Sequence, residues 1–306
     1  MDPALALAIF ALGLAFGSFL NVCIYRLPRG ISVVHPRSAC PRCNQPIRFY
    51  DNAPVLSWLI LRGRCRSCHA PISPRYLVIE LLAGGLFLAC YSHFGLTIAA
   101  VKFCTFGFLL LGLIFTDAET QLLPDKMTLT GLGLGVMFSL VVPVNDLVSQ
   151  VLPGLVSLPA SGGSWRMLSL LDALLGAVVG ASFIYGAGAI YLRARGVEGM
   201  GFGDVKLMAM VGAFLGLRLT IFTLFAGSIA GSLFGLWTLA VVWIKRTQRR
   251  MLRRHESAAQ ARRRAWVSAT VALRHLPMPF GVFLGGMAMV ALFFGDRFLR
   301  WYWRLL

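Results

Sequence analysis

Two aspartates and four cysteines stand out in a chain otherwise poor in reactive side chains. Asp117 closes an apolar stretch in FTDAETQLLPD, and Asp204 opens another in GMGFGDVKL. Only 12 of the 306 residues are acidic. Placing an ionisable group inside or at the end of an apolar span is costly, so it marks a functional position by default. Two carboxylates brought together at a partly dry boundary resist double ionisation: one keeps its proton while the other deprotonates water. Paired aspartates hydrolyse peptide bonds in this way. Gly199, Gly201 and Gly203 carry no Cβ, which lets backbone approach another helix or an extended substrate just before Asp204.

Helix capping is the competing account of an aspartate. It suits Asp125, which follows Pro124 and directly precedes an apolar run. It gives no reason for glycines before Asp204. At Asp117 a carboxylate ending a helix opposes the macrodipole, so that placement needs a different cause. Glu80 has two readings, a structural pair with Arg75 or a contact with a substrate amine, and the structural pair is preferred. Gly201, Gly203, Asp125 and Glu80 are therefore supporting positions. Lys206, two positions from Asp204, does not share its helix face and receives no catalytic role.

The cysteines read Cys40-x-x-Cys43, then 21 residues, then Cys65-x-x-Cys68. Two such turns let four thiolates close on one tetrahedral zinc ion. A loop this small has too little core to hold itself, and metal binding supplies the missing folding free energy. Disulfides are the alternative, but they rarely persist in the reducing cytosol that the charge pattern assigns to this segment. His69 would be a fifth ligand and is read as an exposed histidine. Cys23, Cys90 and Cys104 fall in apolar stretches and are read as small core residues.

The elements that must carry these groups follow from composition. The chain is 58% hydrophobic and 13% charged, with a mean hydropathy of +0.74, well outside the range of a soluble domain. Apolar stretches recur at 4–24, 78–96, 98–116, 127–144, 168–192, 205–217, 219–244 and 279–296, most of them near the length that crosses a hydrocarbon core. Backbone polar groups in lipid must be satisfied within the segment, so these are helices. The expectation is an all-α polytopic membrane protein of about eight transmembrane helices with a small zinc-knuckle insert. Residues 1–25 form the first span, 26–77 the cytoplasmic insert and 78–306 the multi-helix membrane domain.

No basic residue precedes the first apolar run, whereas Arg26 and Arg29 follow it, so the N-terminus is expected outside. Most of the 29 Lys and Arg then fall on the cytoplasmic side. The net charge of +17 is accounted for by anionic lipid headgroups, without nucleic acid. The basic segment 245–276 is read as a solvated cytoplasmic loop. Residues 145–167 are expected to lie on the outer surface, and Arg297, Arg300 and Arg304, interleaved with Trp301, Tyr302 and Trp303, form an interfacial anchor.

Five features together resemble the bifunctional type IV prepilin peptidases: GSFLNVCIYRLP at 17–28, the paired knuckles, the Asp117 stretch ending in LLPD, Gly-x-Gly-Asp at 201–204 and PFGVFL at 279–284. The resemblance covers most of the chain in family order. It implies a bacterial inner-membrane enzyme with Asp117 and Asp204 as its catalytic pair at the cytoplasmic face. The four cysteines then belong to its metal-binding domain, and S-adenosylmethionine is its methyl donor. Its substrates would be prepilins or pseudopilins, in which a short basic leader ending in Gly precedes an apolar helix. The chain departs from the pattern at Val282, where a second proline is expected, and in the length of the basic segment after the seventh span. No glycine-rich nucleotide fingerprint follows a strand, so the methyl donor rests on the resemblance alone. An ion- or proton-coupled transporter and a membrane-anchored zinc adaptor are the rival classes. A transporter would set its acids near the bilayer midplane, and an adaptor gives no reason for two acids at one face.

Overall fold

Helix α1 (Pro3–Arg26) starts where the Asp2 carboxylate accepts the Ala4 amide and Pro3 takes the first helical position. The computed structural model describes residues 2–143, 164–196, 201–254, 257–274 and 279–304. Residues 145–163 of the expected outer segment, and Gly199, lie outside the described residues. Helices α2 (Leu56–Ile60), α3 (Arg75–Phe94), α4 (Ile98–Thr120) and α5 (Asp125–Ser139) follow. After them come α6 (Ser164–Arg195), α7 (Phe202–Arg254), α8 (Ala258–Arg274) and α9 (Phe280–Val290). A five-residue π segment, Ala291–Gly295, joins α9 to α10 (Asp296–Trp303). Among the described residues there is no named strand, and the only bridges, Ala39 with Pro46 and Arg64 with Pro71, belong to the insert.

Six helical stretches among the described residues are long and apolar enough to cross a membrane. One of them, Phe202–Leu252, is 51 residues long. It is not one rod, because Gly216 breaks it with φ 79° and ψ 178°. Met208 and Thr220 both approach Gly180. On a straight helix they would stand about 18 Å apart. The chain therefore turns at Gly216 and runs back as a second helix, matching the two adjoining apolar stretches 205–217 and 219–244, though the first arm, like α5, is short for a full crossing. The remaining expected span is α5, whose 15 residues make about 22 Å, shorter than a full crossing.

Glycine allows the closest helix contacts. Gly13 and Gly17 of α1 rest on the α3 backbone at Ala83, Gly84 and Glu80, which sets an antiparallel pair. Between α6 and α7 the approach is tighter still: a Cβ on Gly212 would stand 2.1 Å from the carbonyl carbon of Gly176. Gly212→Val is expected to separate these helices and cost about 3 kcal/mol, read as a lowered thermal midpoint in detergent. Gly186→Ala, on the same face-rich helix α6 but with nothing within 4 Å of its added methyl, should leave the midpoint unchanged.

The basic segment 245–276 is largely helical, which corrects the expectation of a solvated loop. Helix α7 continues to Arg254, and α8 packs back against it. Ala261, Ala265 and Ala269, spaced four apart, are all buried and form the small-residue face that allows this approach. Trp243 donates its indole N–H to the Arg262 carbonyl at 3.1 Å, and its ring meets Trp266 edge-on.

Candidate active site and metal centre

Asp117 lies in the last turn of α4, 5% exposed. The helix ends there because Gln121 adopts a left-handed conformation (φ 54°) and returns its N–H to the Asp117 carbonyl at 2.9 Å. The unfavourable dipole of α4 is answered by another helix. Helix α9 points its N-terminus at the carboxylate, where the Val282 amide donates to Oδ2 at 3.0 Å. The orphan N–H groups and positive dipole end of α9 thus receive the charge that α4 disfavours. Gly281 has to be a glycine here, since a Cβ would stand 2.9 Å from Asp117 Oδ2. The departure at Val282 acquires a physical meaning, because a proline at that position has no N–H to donate.

Asp204 occupies the first turn of α7, 8% exposed. Its amide donates to the Gly201 carbonyl at 3.1 Å. Leu123, in the short connection after α4, holds the elements together. A Cβ on Gly203 would meet it at 3.0 Å, and one on Gly281 at 3.3 Å. The expected glycine approach is real at Gly203, and its partner is Leu123. At Gly201 the side-chain direction is open apart from Gly203.

Two supporting residues have partners other than those expected. Asp125 is the first residue of α5, makes no cap, and follows Pro124 in the capping position. Its carboxylate pairs with Lys206 at 2.6 Å, tying the start of α5 to the first turn of α7. Glu80 does not pair with Arg75, which reaches Glu119 on α4 instead. Five positions apart on α3, Glu80 and Arg75 point to different faces. Glu80 accepts the Val55 amide at 2.7 Å while Gly17 packs against its backbone, joining α1, α3 and the insert.

The insert is built from two copies of one turn. Cys40 donates its amide to the Gln45 carbonyl and accepts the Asn44 amide; Cys65 does the same with Ala70 and His69. Asn44 (φ 55°) and His69 (φ 54°) hold the matching left-handed positions. His69 is therefore a turn residue, which is why it adjoins a cysteine without serving as a ligand. The four Sγ atoms lie within 4.8 Å of one another, and Cys40 Sγ stands 3.8 Å from Cys68 Sγ across the two turns. Tetrahedral zinc with Zn–S near 2.3 Å requires about 3.8 Å between sulfurs, so the set fits that ion. Cys23 and Cys90 are buried in the helix packing, as expected of core residues.

Sequence reasoning missed the Val282 amide and the room Gly281 leaves for Asp117. The available signal was Pro279 followed by a glycine at the second position of an apolar helix, a start with free amides and no side chain in front of them. Comparison with known proteins covers both halves of the molecule. Residues 11–94 match the bacterial peptidase A24 N-terminal domain, and residues 104–236 match the type IV leader peptidase family. A Myxococcus xanthus protein named prepilin leader peptidase/N-methyltransferase is 39% identical over 78% of this chain and 64% of its own length. Proteins of that name from Aeromonas hydrophila and Pseudomonas aeruginosa are 32% and 33% identical, over 96% and 98% of this chain and 92% and 93% of their own lengths. No solved structure matches the chain.

Proposed function

The chain belongs to the type IV leader peptidase family, and from that premise we propose that it cleaves prepilins or pseudopilins with Asp117 and Asp204 as its catalytic pair. The observation that carries this reading is the placement of two buried aspartates, at the end of α4 and the start of α7, on elements that Leu123 joins. One of them, Asp117, is braced by the amide of Val282. In the proposed reaction the ionised aspartate takes a proton from water as the water oxygen attacks the carbonyl of the leader's final Gly. The protonated partner polarises that carbonyl and then gives its proton to the leaving amine. The pair shares its protons, so the two roles belong to the dyad.

The substrate's apolar helix would lie among the spans, with its scissile bond at the cytoplasmic boundary. Residues 26–77 would form the zinc-binding cytoplasmic insert, held by Cys40, Cys43, Cys65 and Cys68, with the N-terminus of α1 outside. Methylation of the new N-terminus from S-adenosylmethionine is proposed on family membership, and no residue is assigned to that donor. The transporter and adaptor readings have no support, since both acids sit at helix ends on elements that Leu123 joins.

Purified protein incubated in detergent with a prepilin should yield a product lighter by the leader, and heavier by one methyl when S-adenosylmethionine is supplied. An intact substrate mass would reject the peptidase. Gly281→Ala should push the Asp117 carboxylate off the Val282 amide and reduce cleavage at least about tenfold, the effect of losing a short charge-assisted contact. Gly286→Ala on the same helix, with nothing within 4 Å of the added methyl, should cleave normally.

A further inference from the structure

The insert's central helix, α2, lies at an unexpected depth. Helices α1 and α3 are held in one register: Asn21 donates to the Tyr76 carbonyl at 3.2 Å, and Gly17 lies against Glu80. Val55, bonded to the Glu80 carboxylate at 2.7 Å, therefore lies within a glutamate side chain's reach of the level of Gly17 on α1. Helix α1 continues beyond that level to Arg26, about 13 Å further toward the face that carries both aspartates. Helix α4 runs alongside α1, with Phe108 against Phe16 and Gly112 against Leu20. Asp117 follows Gly112 by five residues, so the Glu80 backbone is about 10 Å nearer the membrane centre than that aspartate, and Val55 hangs from its side chain on the inner side of the Asp117 level. The helices around it are lipid-facing at this level, with Phe16, Phe19, Val78, Leu81 and Leu82 all exposed.

A polar loop could not stay at that depth, but this one has the chemistry to do so. The amides of Val55, Leu56, Ser57, Leu59 and Leu61 are all bonded within the protein. The Ser57 hydroxyl donates to the Tyr50 carbonyl, and the Trp58 indole to the Ile72 carbonyl. Backbone at membrane depth requires such internal satisfaction. Leu56, Leu59 and Ile60 meanwhile project outward, 61%, 54% and 74% exposed. Arg62 and Arg64 follow directly, exposed on the rim of the hollow that Ile60 and His69 also line. Their stems can cross the acyl boundary while their guanidinium groups meet lipid phosphates. Val55 holds φ +61°, a conformation a β-branched residue rarely adopts, and the buried Glu80 carboxylate is the group bonded to it there.

We propose that α2 is re-entrant: Leu56, Leu59 and Ile60 lie among the acyl chains of the leaflet on the aspartate side, with Arg62 and Arg64 at its phosphates. The metal-binding turns are thereby clamped flat against the membrane instead of swinging as a soluble domain. The test uses the full chain in phosphatidylethanolamine–phosphatidylglycerol vesicles, with an environment-sensitive fluorescent amino acid placed at Ile60, at Leu59, or at Arg42 on the exposed first knuckle. At Ile60 and Leu59 the probe should lose at least about half its emission when the acyl chains carry bromine, and little to aqueous iodide, as expected about 5–10 Å inside the interface. At Arg42 the order should reverse. Iodide quenching at Ile60 and Leu59 as strong as at Arg42, with metal content unchanged, would overturn the proposal. The readout needs no cleavage, so it stands or falls independently of the catalytic pair.

Discussion

Asp117→Asn and Asp204→Asn, made separately in the full chain, are each expected to lower prepilin cleavage by at least about a thousandfold. Either change leaves the dyad with a single ionisable carboxyl, so it can no longer supply both a base for water and a proton for the leaving amine. The size of the loss follows from acid–base catalysis acting as a unit, in which removing one member forfeits most of the gain. Asparagine matches aspartate in shape, so the amide of Val282 still faces an acceptor oxygen at position 117. Insertion into the membrane and metal content should both be unchanged. Measured by the mass of a prepilin product under single-turnover conditions, near-normal cleavage by either variant would reject the dyad. The double variant should be no worse than the singles, since neither residue works without the other.

The second large effect is expected at the metal centre. Cys40→Ser with Cys68→Ser removes the sulfur pair that spans the two turns at 3.8 Å, leaving one thiolate on each. Structural zinc contributes an apparent free energy of about 10–16 kcal/mol in small cysteine sites, far more than this insert's few buried side chains can replace. Bound zinc should fall from one per chain to nearly none. Limited proteolysis should then cut within residues 26–77 while the spans stay intact. Unchanged zinc stoichiometry would refute the site. Because Glu80 and Arg75 join the insert to α1, α3 and α4, a secondary loss of cleavage should accompany unfolding of the insert. Restoring Cys40 and Cys68 should recover both properties together.

The candidate site was partly legible in advance because acids are scarce in this chain. Asp117 and Asp204 were conspicuous as ionisable groups at the edges of apolar stretches, and the cysteines by their spacing. The partners of Glu80, Arg75 and Asp125 were not. Each of those side chains reaches across to another element: Glu80 to Val55, Arg75 to Glu119, Asp125 to Lys206. Their choice depends on the rotation and register of packed helices, which local sequence does not encode. The same holds for the fifth and sixth apolar spans, where glycines mark a close approach without saying to what; only packing joins Gly176 to Gly212.

Sequence by itself determined the solvent, the apolar helices and the spacing of four candidate metal ligands. Lipid forces apolar segments to be helices, and two C-x-x-C turns suffice for a four-thiolate site. Tertiary structure alone decided how the Asp117 charge is held. Its amide donor, that of Val282, comes from α9, 165 positions away in the chain, and meets it because the start of one helix is packed against the end of another. It also decided the depth of α2, through a carboxylate on α3 that no pattern within the insert announces. A helix dipole and a buried carboxylate act through space, so their effects appear only once the chain has brought distant segments together.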